Sequence, residues 1–163
     1  MREAVRKRFG YCSAYCGVSE VMVGSQLEID HFRPASQGGG DELNNLVYAC
    51  TTCNRLKSDY WPSEEMPDNH VLLHPYRDEI SEHIEVLENG RLQHLTSRGK
   101  FHIQWLHLNR LQLVMLRQYQ ASVAFLQARL ENQQTVEADL RQQIQLLEQE
   151  VSLLQEIITR LTQ

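Results

Sequence analysis

The sequence predicts an α+β fold: a small strand–loop–strand–helix core, a β-hairpin beside it, and a long C-terminal α-helix. Three observations lead there. Four cysteines, Cys12, Cys16, Cys50 and Cys53, fall in two close pairs that bracket the core. An Asn89-Gly90 turn signal sits between roughly alternating apolar residues. Every glycine, proline and cysteine lies before residue 101, so nothing after it breaks a helix. The expected organisation is residues 1–60 as the core, 61–100 as a loop and hairpin flank, and 101–163 as the helical segment.

At the N-terminus, "REAVRKRF" reads as a short helix. There is no apolar h-region, and no apolar run approaches the ~20 residues needed to span a bilayer. The expectation is a cytoplasmic chain without a membrane segment. In a reducing compartment, two close cysteine pairs point to one tetrahedral Zn²⁺ site rather than to disulfides. Glu28 to Phe32 reads as a strand ending in Asp30-His31. "PASQGGGDEL" is a loop, and Asn45 precedes a second strand, "LVYAC". Cys50-Thr-Thr-Cys53 then turns into a helix beginning near Asn54, with Arg55 and Lys57 in its first turns. So small a unit has little core of its own, and zinc would supply its stability.

"WPSEEMPDNH", from Trp61 to His70, reads as a Pro-rich surface loop. "HIEVLENGRLQHLT", from His83 to Thr96, reads as the hairpin, and Thr96 or Ser97 as the N-cap of the next helix. The last segment is one long helix or two joined end to end. With Leu116 at heptad position a, position a holds Val123, Leu130, Glu137, Ile144, Val151 and Ile158. Position d holds Tyr119, Leu126, Gln133, Leu140, Leu147, Leu154 and Leu161. Ile or Val at a with Leu at d favours a parallel two-stranded coiled coil, a homodimer through residues 116–161. Leu146 and Leu153 at c, with Val136 and Ile157 at g, widen the stripe and keep open its packing on another protein or on its own domain.

The net charge of −5 excludes a bulk-basic nucleic-acid binder. Any phosphate contact must be local. Arg33, Arg55 and Lys57 flank the proposed chemistry; Arg2, Arg6, Lys7 and Arg8 read better as a solvated helix face.

Cys-x3-Cys, Asp-His, Gly-Gly, Asn-Leu-Val and Cys-x2-Cys-Asn-x2-Lys, in that order over residues 10–59, resemble the zinc-stapled HNH endonucleases of the His-Me finger, or ββα-metal, group. More weakly, "LLHPYRDEI", "ENGRLQHLTSRGKFHI" and "LHLNR" resemble the flank of small standalone HNH proteins. The resemblance implies that His31 is the general base, taking a proton from the water that attacks a phosphodiester. It implies that Asp30 and Asn54 hold one catalytic Mg²⁺ or Mn²⁺ through hard oxygen donors. Asn45 would hold the loop and orient His31. Arg33, Arg55 and Lys57 would touch phosphate. Two departures stand out: the first cysteine pair has three spacers where two are more common, and Asn54 stands where a histidine is frequent. Of the other histidines, His74 alone is expected near the site, should the loop after the motif fold back.

The expected function is therefore metal-dependent endonucleolytic hydrolysis of DNA, with a coiled-coil partner that is a second copy or another protein. The alternative is a non-catalytic, zinc-containing nucleic-acid-binding or adaptor module docked through its helix.

Overall fold

The computed structural model describes residues 1–63 and 65–161. Glu64, inside the loop expected at Trp61–His70, and the two residues after Leu161 lie outside the described residues. The chain forms two compact units, residues 1–118 and the segment from Tyr119 on.

The first unit opens with α1, Arg2–Arg8. Glu3 in its first turn and Arg6, Lys7 and Arg8 in its last complement the helix dipole, and Val5 is its buried residue. A single helical turn, α2 (Glu20–Val23), comes next; the Ser19 side chain caps it and Gly24 ends it at φ 74°. Arg6 and Arg8 of α1 serve packing. Arg6 pairs with both carboxylate oxygens of Glu20 at 2.8 and 2.9 Å. Arg8 donates to the Leu43 carbonyl at 2.8 Å and stacks 3.4 Å over the Tyr76 ring.

The strands expected around the Asp-His pair and before the second cysteine pair are β1 (Glu28–His31) and β2 (Leu46–Ala49). They pair antiparallel, Glu28 opposite Ala49 and His31 opposite Leu46. All four residues of β2 are buried, so both faces of this short ribbon are covered. α3 (Thr51–Lys57) begins directly after it, its N-terminus capped by the Cys50 thiol, which accepts from the Cys53 N–H.

Two four-residue strands cannot enclose a core, and the core draws on much more of the chain. Val5, Leu27, Phe32, Leu46, Val47 and Tyr48 pack with Leu72, Leu73, Ile84, Ile103, Leu106, Leu108 and Leu113. At about 1.5–3 kcal/mol for each fully buried large aliphatic side chain, the later residues contribute as much as the earlier ones.

The hairpin pairs β3 (Ile84–Val86) with β4 (Leu92–His94). Its turn differs from the two-residue type that Asn-Gly suggests. Gly90 N–H donates to Leu87 O, Leu87 N–H donates to Arg91 O, and only Gly90 has positive φ, at 75°. This is a three-residue loop with a left-handed glycine bulge. A Cβ on Gly90 would lie 2.6 Å from the Val114 carbonyl oxygen, so the tip is pressed against the helix beyond it.

Thr96 caps α4 (Ser97–Trp105), its side chain accepting from the Gly99 N–H at 3.1 Å. The helical segment is two helices: α4 and α5 (Leu111–Leu161). No glycine or proline divides them. The break occurs because Leu106 and Leu108 are both driven into the core while His107 turns left-handed at φ 47°. The Asn109 side chain holds the bend, bonding both the N–H and the carbonyl of Leu92 at 2.7 and 2.8 Å.

The second unit continues α5 without interruption to Leu161. Leu126, Leu130, Leu140, Ile144, Leu147, Val151 and Leu154 are each more than half exposed.

Candidate functional site

Period-two alternation along β1 sends neighbouring side chains to opposite sides. Asp30 turns inward and is 6% exposed, while His31 lies at the end of the strand, its ring partly open to solvent. Asp30 meets two donors: the Tyr15 hydroxyl at 2.6 Å on Oδ2 and the Lys57 ammonium at 3.0 Å on Oδ1. Burial pushes the Asp30 carboxyl above its ordinary value, against the opposing pull of Lys57 and Tyr15. Lys57 is fully buried and also donates to the His31 carbonyl at 2.7 Å, so it braces the backbone of the histidine from behind.

His31 Nε2 lies 2.7 Å from Asp41 Oδ1 at the end of the glycine-rich loop. Asn45 holds that loop. Its carboxamide accepts from the Arg33 N–H at 2.8 Å and donates to the carbonyls of Gly40 and Arg33 at 2.8 and 3.1 Å. The chains approach so closely that a Cβ on Gly39 would sit 1.8 Å from the Arg33 carbonyl oxygen. Only glycine fits there.

Asn54, in α3, faces Glu28 rather than Asp30: its Nδ2 donates to Glu28 at 2.6 Å, and the Thr51 hydroxyl donates to the same carboxylate at 2.7 Å. These bonds hold the Glu28 carboxyl below its usual value. Asp30 and Asn54 thus have separate partners, and both Asp30 oxygens are engaged. Each Asp30 oxygen accepts one bond, from Tyr15 or from Lys57, and has a second lone pair with which it could ligate a hard cation.

Of the expected phosphate contacts, Arg33 and Arg55 are exposed and Lys57 is not. Arg33 lies 5.4 Å over the Trp61 ring. With Trp61, His74 and Arg77 it lines a groove of about 430 Å³ beside the glycine loop. His74 does fold back to this region, bonding the Asn44 carbonyl at 3.1 Å and packing 4.3 Å from the Phe32 ring.

The cysteines form a separate centre behind β2. The sulfurs of Cys16, Cys50 and Cys53 lie within 4.8 Å of one another, with Cys16 and Cys50 at 3.6 Å. With Zn–S bonds of about 2.3 Å, two thiolates on one tetrahedral zinc are about 3.8 Å apart, so the three sulfurs fit a zinc ion. Hydrogen bonds with Cys16 and Cys53 hold the Cys50 thiol far below its ordinary value, and those with Cys16 and Cys50 push Cys53 up. Of the four expected ligands, Cys12 does not join the group: its thiol donates to the Gly10 carbonyl at 3.4 Å. Two other residues do reach it. Ser13 is buried beside Cys16 and Cys50, and Arg110 brings Nη2 to 3.4 Å from the Cys53 sulfur. Ser13 was open to detection, since Ser13-x-x-Cys16 repeats the spacing of Cys50-x-x-Cys53. Arg110 carries no local signal, nor do Tyr15 and Asp41.

Known proteins bear on this arrangement. The chain is similar to "Septu protein PtuB" of Bacillus mycoides (strain KBAB4), 28% identical over 120 residues that cover 57% of this chain and 40% of that protein. It is similar to "Septu protein PtuA" of the same strain, 26% identical over 144 residues that cover 71% of this chain and 20% of that protein. The chain therefore spans well under half the length of these relatives. No solved structure matches it. The sequence pattern of "HNH endonuclease" matches residues 11–60, the stretch that holds the three-cysteine centre, β1, the glycine loop, β2 and α3. Residues 11–60 are a domain of the HNH endonuclease family.

Proposed function

We propose that this domain hydrolyses phosphodiester bonds in DNA with His31 as general base. The observation that carries the reading is the place of His31: at the end of β1, partly open, and oriented by Asp41 at 2.7 Å from a loop that Asn45 holds. With Nε2–H donating to the Asp41 carboxylate, the unprotonated Nδ1 is the basic nitrogen. It takes a proton from water as the water oxygen attacks phosphorus, and the bond to the leaving sugar oxygen breaks. Arg33, Arg55 and Arg77 are exposed cations suited to hold the neighbouring phosphates, and Trp61 offers a face for a base.

Mg²⁺ or Mn²⁺, when bound, would stabilise charge developing on the phosphate and the leaving oxygen. Asp30 would ligate it through lone pairs that Lys57 and Tyr15 do not use. The reading rests on His31 rather than on a ligand set. Zn²⁺ in the cysteine centre is structural in this reading.

The long helix supports a protein partner, and we take that partner to be a second copy paired through residues 116–161. The seam residues are exposed along the second unit, and their Ile/Val-at-a, Leu-at-d pattern suits two parallel strands. The shared Septu name of two differently lettered relatives also fits work alongside a further protein.

The engagement of Asp30 favours one other reading, a zinc-containing nucleic-acid-binding or adaptor module without catalysis. Plasmid cleavage with Mg²⁺ or Mn²⁺ separates the two. The intact protein is expected to nick or linearise the plasmid, and His31→Ala to lose at least ~100-fold of the rate with zinc content unchanged. Equal rates would remove His31 as the base, and no cleavage by the zinc-loaded protein would favour the binding module.

A further inference from the structure

The cysteine centre departs from the four-thiolate site that its spacing suggests, and the departure has a definite geometry. We propose that this chain binds zinc through three thiolates, Cys16, Cys50 and Cys53, with an oxygen at Ser13 in the fourth position, and that Cys12 stays free of the metal. The inference rests on the zinc reading above and adds the identity of the fourth ligand.

Four observations carry it. Ser13 is 2% exposed, and its hydroxyl accepts from the Cys50 N–H at 3.2 Å, so the oxygen already lies at the base of the cluster. The turn around it is pinned: Ser13 N–H donates to Val18 O and Gly17 N–H donates to Ser13 O, both at 2.8 Å. Cys12, one residue earlier, is directed elsewhere. Its backbone bridges to Ser19 and its thiol bonds the Gly10 carbonyl. Seating Cys12 on the metal would shift the turn by one residue and break the bonds that fix Ser13.

The fourth observation is charge. Three thiolates and one Zn²⁺ leave a net −1, and four thiolates leave −2. Among the described residues one cation touches the sulfurs, the Arg110 guanidinium at 3.4 Å from Cys53 and 4.0 Å from Cys50. One arginine neutralises the three-thiolate form and leaves the four-thiolate form charged in a partly buried place.

Two measurements on the full chain test this. In the first, the zinc-loaded protein is treated with iodoacetamide and the modified cysteines are mapped by mass spectrometry. Cys12 is expected to be alkylated quickly, with Cys16, Cys50 and Cys53 protected until a chelator removes the metal. Protection of Cys12 to the same degree as the others overturns the proposal.

In the second, zinc is replaced by Co²⁺ and the visible absorption is read. Cys12→Ala is expected to leave the spectrum unchanged. Ser13→Cys is expected to move the ligand-field bands to lower energy and strengthen the sulfur charge-transfer band by about one third, as a fourth thiolate joins three. A changed spectrum in Cys12→Ala, or an unchanged one in Ser13→Cys, overturns it. A chain that binds neither metal would overturn the zinc reading and this inference together, whereas zinc held by all four cysteines would overturn only this inference.

Discussion

Lys57 is the residue on which the site's rigidity turns. Its ammonium is fully buried, pairs with Asp30 at 3.0 Å and holds the His31 carbonyl at 2.7 Å. Removing one partner of a buried pair leaves the other charge uncompensated, so Lys57→Met should cost about 3–5 kcal/mol. Tyr15→Phe, which removes a neutral donor to the same carboxylate, should cost about 2 kcal/mol. Urea unfolding checks both; a Lys57→Met loss below that of Tyr15→Phe would refute the assignment. His102 gives a pH signature. It is buried, its Nδ1 accepts from the Leu73 N–H at 3.1 Å, and burial pulls its pKa down to about 4. The unfolded chain therefore binds a proton at His102 between about pH 6.5 and 4 that the folded chain refuses, and stability falls as pH drops through that window. Relative to His102→Gln, the wild-type chain should lose up to about 3 kcal/mol between about pH 7 and 4. At this scale the sequence displayed the motif residues but not their partners. His31 and Asn45 announce themselves by motif. Tyr15, Asp41 and Arg110 come from distant segments by tertiary packing, and no local pattern encodes them.

Elements were legible where a periodic pattern or a cap was strong. β1 and β2 match the expectation to within a residue, α3 starts at Thr51 rather than near Asn54 because the Cys50 thiol caps it, and Thr96 caps α4 as its hydroxyl and position suggest. The break at His107 was hidden, because Leu106 and Leu108 stop the helix by entering the core rather than by any residue that disfavours helix. The turn at Gly90 departs from its dipeptide signal because the glycine serves as the left-handed residue of a three-residue loop rather than as half of a two-residue turn. α5 yields an element-scale prediction. By light scattering the full chain should be a dimer, and Leu147→Lys, which puts a charge into the seam, should weaken association by at least ~100-fold. Monomers at high concentration for both would exclude pairing through residues 116–161. A version ending at Gln118 retains every core residue and should be a monomer.

For the whole molecule, the first unit is drawn together at a centre that no one element contains. Cys16 precedes β1, Cys50 and Cys53 flank the start of α3, and Arg110 closes the site from the turn before α5. Chelation of zinc should therefore loosen the unit as a whole. A loss of even ~3 kcal/mol would lower Tm by roughly 10 °C, and re-addition of zinc should restore it. Unchanged melting after verified zinc removal would mean that the apolar core suffices. The α+β class and the family were readable in the motif, whereas the extent of the unit was not. The motif ends near residue 60, yet Ile103, Leu106, Leu108 and Leu113 close the same core.

That late closure sets an order of events during synthesis. The core cannot be completed until Leu113 has left the ribosome, and residues 119–161, with their exposed apolar seam, emerge only after it. At about 5–20 residues per second, the chain lengthens slowly beside the closing of a small domain. The pairing proposed for residues 116–161 would then join cores that are already shut, a meeting of finished parts.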